Sequence, residues 1–198
     1  MSKDAERKRL DPAKTRETIL IAAFDVFAQK GYDGASVADI AAAAGVPKSL
    51  LQYHYGSKEE LWKACLERKA GPVISALDRF LEAGDVAEFV AVRFQLLQEN
   101  PQVARIMAWL SLGSAPLPTF MEERRARLFE RGRGSPSGAE FPRLLLALAA
   151  MDGWFLYRDL YSRVLGVAVF EEAFVSRLHQ LLTGVVQADP KGAEETTP

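Results

Sequence analysis

The sequence predicts an all-α fold, in which a compact N-terminal unit of short helices precedes a longer helical region. Near the N-terminus, apolar residues recur at the i, i+3, i+4, i+7, i+8 spacing of an amphipathic helix, at Ile19, Ala22, Ala23, Val26 and Phe27. Signals for the start of a helix then recur through the first third of the chain. No stretch alternates apolar and polar residues between hairpin turns, as β-strands do. We therefore expect a chain built from helices.

The first two helices are delimited by their terminal residues. Asp11 and Pro12 suit the start of the first helix, because an Asp side chain accepts hydrogen bonds from unpaired amides and Pro is tolerated in the first turn. Gly31 is predicted to end it. Ser36 and Asp39 form a capping box for the second helix. The predicted inner face of that helix comprises Val37, Ile40, Ala41 and Ala44.

Two further helix starts follow a sharp turn at Gly45. Pro47 suits the start of a third short helix that extends to about Tyr53. Ser57 and Glu60 make a second capping box, which opens a fourth helix. So many helix starts in so short a stretch indicate a small, compact domain.

Beyond Leu61 the helical segments lengthen. Breaks are predicted where Pro removes a helix donor or Gly lowers helix propensity, at Gly71-Pro72, Gly84-Asp85, Asn100-Pro101 and the Pro116/Pro118 pair. The stretch from Arg131 to Pro142 is predicted to be a loop. Two long apolar segments follow, at about residues 142–165 and 170–187, with Gly166 between them.

Composition restricts the class of protein. A chain of 198 residues, 48% hydrophobic and 26% charged, lies in the ordinary globular range. The net charge of -1 gives no global sign of nucleic-acid binding, so such a site would have to be a local patch. Cys65 is the only cysteine, which excludes an internal disulfide and a multi-cysteine zinc site and favours a reducing cytoplasm. We expect no secretory signal, no membrane span and no cofactor or metal.

The second and third helices form a predicted helix-turn-helix unit, in which the third helix is presented to a partner. Leu51 and Tyr55 are expected to pack inward. The outward residues suit double-stranded DNA, since Gln pairs with the adenine edge, Lys with guanine or phosphate, and Leu touches the thymine methyl. The candidate base-reading residues are Lys48, Ser49, Leu50 and Gln52. Tyr53, His54 and Lys58 suit phosphates, and Lys58 also lies at the start of a helix, where anions are favoured.

Three motifs follow one another between Thr15 and Leu61. They are an Ala-Ala-Phe helix ending in Lys-Gly-Tyr, then Ser-Val-x-Asp-Ile-Ala-x-Ala-Ala-Gly-Val, then Tyr-His-Tyr-Gly-Ser-Lys-Glu-Glu-Leu. Together they resemble the N-terminal DNA-binding domain of the TetR family of transcriptional regulators. The resemblance implies phosphate contacts from Ser36, Tyr53, His54 and Lys58. The chain departs from the family's usual pattern at Ser49, Leu50 and Gln52, which all lie on the face that would read bases.

The resemblance gives a division of the chain. We expect an all-α protein with an N-terminal three-helix helix-turn-helix DNA-binding domain at residues 11–60 and a C-terminal helical ligand-binding and dimerisation domain at residues 61–187. Residues 1–10 would be a flexible arm of mixed charge, in which Arg7, Lys8 and Arg9 either follow DNA or remain solvated. Residues 188–198 would be a disordered tail.

The C-terminal region is rich in large apolar and aromatic side chains. The resemblance implies that its helices enclose a pocket for a small-molecule inducer, and that the last two helices pair with those of a second subunit. Candidate pocket residues are Phe94, Met107, Trp109, Met151, Trp154, Phe155 and Tyr157, with core or dimer packing as the alternative for each. Candidate polar groups of the pocket are Arg93, Arg105, Asp152 and Arg158.

The leading hypothesis is a homodimeric repressor that binds a palindromic operator in double-stranded DNA and is released by a small, largely apolar or aromatic ligand of unknown identity. A helical ligand-binding or interaction protein with weak or lost operator binding is an alternative, as is an activator. An enzyme that uses Cys65 with His54 or His179 is disfavoured, because nothing supplies an orienting partner or an oxyanion site.

Overall fold

A computed structural model of the chain describes residues 11–134, 140–165 and 172–187, and every regular element in these ranges is an α-helix. The predicted all-α fold is confirmed. The predicted arm at 1–10 with Arg7, Lys8 and Arg9, the predicted tail at 188–198, and Gly166 lie outside the described residues. The helices are α1 (Pro12–Gly34), α2 (Val37–Ala44), α3 (Lys48–Tyr55), α4 (Lys58–Ala83), α5 (Val86–Glu99), α6 (Gln102–Leu112), α7 (Thr119–Gly134), α8 (Glu140–Leu165) and α9 (Glu172–Gln187).

The predicted helix starts in the N-terminal unit are confirmed by their hydrogen bonds. The Asp11 carboxylate accepts the Ala13 amide at 3.0 Å at the start of α1. Ser36 and Ser57 each cap a helix in a complete capping box, with Asp39 and Glu60 respectively as the third helical residue. The regular part of α1 ends at Gly31, as expected, where φ is 71° and ψ is 174°.

The predicted break at Gly71-Pro72 is wrong, because α4 continues through Pro72 to Ala83. A proline inside a helix costs about 3 kcal/mol. Beyond it, however, α4 buries Val73, Leu77 and Phe80, and burying each side chain contributes roughly 1.5–3 kcal/mol. Tertiary packing therefore outweighs the local signal. The predicted loop at residues 131–142 is also too long, since α7 extends to Gly134 and α8 begins at Glu140.

Helix α4 joins the two parts of the molecule, here called the head (α1–α3 with the first turns of α4) and the body (the rest of α4 with α5–α9). In the head, Trp62 of α4 is fully buried. Its ring meets Phe27 edge-on at 5.0 Å and Tyr32 at 5.6 Å. Its Nε1 donates to the Pro116 carbonyl in the loop after α6, at 2.9 Å. One side chain thus connects α1, α4 and the α6–α7 loop.

The body is a layered helical bundle. Helix α5 lies between α4 and the α8–α9 pair, and α6 packs against both α1 and α8. Its core includes Phe89, Val90 and Leu97 of α5 together with Leu144 and Met151 of α8. Within the described ranges, no helix has the combination of length and apolar character that crossing a membrane requires.

Helix α6 contacts α1 at the point where α1 stops being regular. Trp109 Nε1 donates to the Ala28 carbonyl at 3.2 Å. The indole ring then covers Gly31 so closely that a Cβ on Gly31 would lie 2.8 Å from a ring atom of Trp109. Gly31 is therefore required twice, by its positive φ and by the approach of this ring.

Gly31→Ala is expected to lower the free energy of unfolding by about 1–3 kcal/mol, because this backbone conformation is essentially restricted to glycine. Gly34→Ala is the matched control. A Cβ on Gly34 would meet only Lys30 Cβ, at 3.6 Å, so its effect should stay within about 0.5 kcal/mol. Urea denaturation of the parent chain and both variants measures the free energies of unfolding. Equal stability of the two variants would contradict the requirement for glycine at position 31.

Candidate nucleic-acid interface and ligand cavity

A tight turn sets α3 against α2. Gly45 ends α2 in the left-handed conformation, with φ 66° and ψ 28°. The Val46 amide donates back to the Ala41 carbonyl at 3.0 Å, which closes the end of the helix. Pro47 then starts α3 without any side-chain cap. The turn is therefore fixed by backbone geometry, and it leaves the outer side of α3 uncovered.

The side chains of α3 divide into a buried and an outward set. Leu51 and Tyr55 are buried, as predicted. Tyr53 is 82% exposed, and its ring lies edge-on to that of His54 at 5.3 Å. The candidate contact residues Lys48, Ser49 and Gln52 are also exposed, whereas Leu50 and His54 are half-buried. The structure thus brings these candidates together on one short helix, and their contact with DNA stays a prediction.

Arg16 of α1 holds the C-terminal end of α3, a role that the sequence reasoning missed. Its Nη1 donates to the His54 carbonyl at 2.9 Å, and its guanidinium lies 4.6 Å from the centre of the Tyr55 ring. In return, the Tyr55 hydroxyl donates to the Arg16 carbonyl at 3.0 Å. These partners are almost forty residues apart in sequence, so no local pattern could have revealed them.

Ser36 is engaged at the start of α2. Its oxygen accepts the Asp39 amide at 3.1 Å, and its hydroxyl donates to the Asp39 carboxylate at 2.7 Å. Lys30 forms an ion pair with the same carboxylate at 2.9 Å. The hydrogen bond from Lys30, together with those from Ser36, lowers the pKa of Asp39 from 3.8 to about 2. The predicted phosphate contact would therefore require the Ser36 hydroxyl to turn away from Asp39, because a phosphate oxygen accepts hydrogen bonds and the hydroxyl has one proton to donate.

Lys58 ties α4 to the end of α1. Its Nζ donates to the Tyr32 carbonyl at 2.9 Å and to the Ala35 carbonyl at 3.2 Å. The ammonium also lies 4.3 Å from the centre of the Tyr32 ring. A contact between Lys58 and phosphate stays a prediction. It would compete with the hydrogen bonds by which Lys58 ties α4 to the end of α1.

The body contains a cavity of about 330 Å³, here called the central cavity. Its wall comes from α1, α4, α5, α6, α7, α8 and the loop after α6, and most of it is apolar. Its lining includes Lys69 of α4, Arg93 of α5, Met107 of α6 and Asp152 of α8. The volume lies at the small end of the range of ligand sites, roughly 300–1,000 Å³.

Of the apolar candidates named for the pocket, Met107 alone lines the central cavity. Trp109 instead covers Gly31, and Met151 and Phe155 are buried in the core. Phe94 stacks on His179 at 4.6 Å, beside an open groove between α5 and α9. The remaining candidates are Trp154, which stacks on Phe174 at 4.9 Å, and Tyr157, which is exposed.

The polar candidates separate in the same way. Arg93 and Asp152 both line the central cavity and form an ion pair at 2.7 Å. Arg105 is exposed on α6. Arg158 lies 4.0 Å from Asp159 and stands over the Phe155 ring. The sequence analysis missed the lining residues of α4 and α7. The spacing of apolar residues indicates which face of a helix is buried, but not whether that face lines a cavity or packs in the core.

Cys65 is unsuited to nucleophilic chemistry. It is buried, and burial raises the pKa of its thiol to about 12. The thiol donates to the Leu20 carbonyl at 3.5 Å, not to an imidazole that could act as its base. A thiol with so high a pKa is inert at neutral pH.

Known proteins similar to this chain are transcriptional regulators. Residues 19–65 match the family model described as bacterial regulatory proteins, tetR family. The HTH-type transcriptional repressor SCO4008 of Streptomyces coelicolor is 30% identical over 165 residues, which cover 78% of this chain and 85% of SCO4008. The HTH-type transcriptional regulator RutR of Escherichia coli K12 is 33% identical over 116 residues, or 57% of this chain. The chain spans only 54% of the length of RutR.

The fold is also found in solved structures. The crystal structure of a TetR-like transcriptional regulator from Rhodococcus sp. RHA1 superposes with a TM-score of 0.58 at 21% identity, covering 90% of this chain and 96% of that one. Likeness at this level of identity concerns the fold alone. All three named proteins are described as transcriptional regulators or repressors.

Asp39→Asn is expected to destabilise the head in a pH-dependent way. The folded pKa of Asp39 lies below its ordinary value of 3.8, at about 2. The contribution of the Asp39 carboxylate to the stability of the fold is therefore fully present above about pH 4 and is lost as the pH falls through about 2. Thermal melts of both proteins from pH 6 to about pH 2 should show a difference in Tm that narrows as the pH falls. A difference independent of pH would contradict this account.

Proposed function

The chain belongs to the TetR family of transcriptional regulators, and from that premise we propose that it is a homodimeric repressor. It binds a palindromic operator in double-stranded DNA and leaves it when a small, largely apolar ligand occupies the central cavity. The observation that carries the proposal is the uncovered outer side of α3 on a head that is joined to a cavity-bearing body. The cytoplasm, where such an operator would lie, is its proposed location.

The proposed DNA contacts follow from the placement of the side chains on α3. Tyr53 and His54 anchor the helix to phosphates, and Ser36, which caps α2, makes a further phosphate contact. Gln52 and Lys48 reach base edges in the major groove, since amide and ammonium groups pair with adenine and guanine there. Arg16 supports these contacts indirectly, because it fixes the end of α3 through the His54 carbonyl.

The proposed dimer uses the outer face of α8 and α9. One side of α8 packs into the core through Leu144, Ala147, Met151 and Phe155. A second stripe, on the opposite side, consists of small and apolar residues that are exposed or half-exposed: Leu146, Ala150, Gly153, Tyr157, Leu160 and Val164. Their alternating spacing of four and three is that of a helix-pairing seam.

On α9, which packs against α8, Leu181 and Gly184 are also exposed, and we include them in the proposed interface. Large exposed apolar patches are uncommon on monomeric proteins, which supports the proposal that this face of α8 is covered by a second subunit. A two-fold axis there places one recognition helix of each subunit against each half of a palindrome. The two helices then lie about 34–36 Å apart, or a multiple of that distance.

Helix α6 provides the proposed coupling between ligand and DNA. One of its faces contributes Met107 to the central cavity. Its other face holds Trp109 against α1. Just beyond α6, the Ser114 hydroxyl donates to the Asp33 carboxylate at 2.8 Å, which lowers the pKa of Asp33. A ligand that displaces α6 would therefore move α1, and with it the head, relative to the rest of the body.

Tyr53→Ala and His54→Ala are expected to weaken binding to all sequences alike, because they remove contacts to phosphates, which carry no sequence information. Gln52→Ala should instead relax the preference at one base pair, at a cost of about 1–3 kcal/mol. Fluorescence anisotropy with palindromes from the DNA flanking the gene, at several salt concentrations, measures both effects.

Arg79→Gln is the matched control, since Arg79 is a cation of the body that pairs with Glu88 at 2.6 Å. Lys58→Ala is a poor test, because it also removes the two hydrogen bonds that tie α4 to α1. Absence of selective, salt-sensitive binding at any of these palindromes would exclude operator binding. It would favour the alternative of a ligand-binding or interaction protein. Increased transcription from the operator in the presence of the protein would indicate an activator.

Tyr157→Glu and Val164→Glu are expected to convert the dimer into a monomer and to abolish tight operator binding, because each places like charges across the two-fold axis in an apolar interface. Phe129→Glu, at an exposed aromatic residue of α7, is the control and should remain dimeric. Size-exclusion chromatography with light scattering gives the masses. A monomeric parent chain, or dimeric Glu variants, would contradict this surface as the interface.

A further inference from the structure

The charges that line the central cavity do not cancel. Among its lining residues, Lys69 and Arg93 are cationic and Asp152 is the single acid, which leaves one positive charge in excess. Excess charge in an apolar surrounding is costly unless a counter-charge is supplied. The cavity therefore favours a negatively charged occupant over a neutral or a cationic one.

Arg93 has hydrogen-bonding capacity left for such an occupant. Its side chain is only 10% exposed. Within the described residues its guanidinium makes one hydrogen bond, from Nη2 to Asp152 Oδ1 at 2.7 Å. A guanidinium carries five N–H donors, and the others have no protein acceptor in those parts of the chain. Because Arg93 lines the cavity, a group with several acceptor oxygens can reach these donors from inside it.

Lys69 lacks an anionic partner within the described residues. Its Nζ donates to the neutral side-chain oxygen of Asn100 at 2.9 Å and lies 5.4 Å from the centre of the Phe24 ring. Its full positive charge thus adds to the potential inside the cavity. The rest of the wall is mostly apolar, with Val73, Leu77 and other aliphatic or aromatic side chains around the space.

We propose, building on the repressor function proposed above, that the ligand of the central cavity is an amphiphilic monoanion, a carboxylate with an apolar body that binds through Arg93. The carboxylate accepts hydrogen bonds from the donors of Arg93 that Asp152 does not use, and the apolar body fills the space between α4, α6 and α7. With one monoanion bound, the charges of the site sum to zero.

The test uses two series of probes that share a body and differ in the head group. One series is octanoate, octanol and octylamine, and the other is naphthylacetate, naphthylethanol and naphthylmethylamine. Isothermal titration calorimetry of the full chain should show that, in at least one series, the carboxylate binds about tenfold or more tighter than the alcohol. The amine should be the weakest of the three.

Two variants move the result in opposite directions. Asp152→Asn removes the carboxylate that competes for Arg93, so it should strengthen binding of the carboxylate probe. The double variant Arg93→Gln with Asp152→Asn replaces the ion pair by a neutral pair of similar shape, which protects folding, and it should abolish the preference for the carboxylate. Arg79→Gln, in a surface ion pair outside the cavity, should bind like the parent chain.

The proposal is overturned if the alcohol or the amine binds as tightly as the carboxylate, if the double variant keeps the preference, or if no probe binds. Operator binding is measured on the same preparations without probe. Selective DNA binding together with any of these failures would reject the ligand class and leave the repressor function standing. A clear preference for the carboxylate without DNA binding would do the reverse.

Discussion

The packing of α1 against α4 around Trp62 is the constraint on which the rest of the structure depends. Its buried ring fixes the separation of the two helices through Phe27 and Tyr32, and its indole N–H holds the loop after α6. Because α4 continues from the head into the body, this contact sets where α3 stands relative to the central cavity. An aromatic side chain suits the position, since it combines a large buried area with one polar group that must find a partner.

Local signals in the sequence were sufficient for the head. Capping boxes at Ser36 and Ser57 and the buried positions Leu51 and Tyr55 depend on residues within a few positions of each other, and the structure places them as predicted. Contacts that join distant segments could not be read in this way. The break predicted at Pro72 shows the same limit, because the packing that overrides it is contributed by other helices.

The pocket was less predictable than the head for a geometric reason. Aromatic side chains were expected to line it, yet Trp109, Trp154 and Phe155 pack against neighbouring helices or the core. Flat rings pack well between helices, so an aromatic residue in the sequence does not by itself indicate a binding site. The better indicator was charge. Arg93 and Asp152, which were candidates for the polar groups, form an ion pair and both lie on the cavity wall.

The two faces of α6 offer a physical route for the coupling that we propose between ligand binding and DNA binding. Met107 belongs to the cavity wall, and Trp109, two residues later, is pressed against a glycine with a positive φ. Gly31 has no side chain that could change rotamer to accommodate a shift, so a displacement of α6 would act directly on the backbone of α1. Coupling of this kind is reciprocal. If the ligand lowers the affinity for DNA by some factor, bound DNA must lower the affinity for the ligand by the same factor. An anion in the cavity would thus be bound more weakly by the operator-bound dimer than by the unbound one.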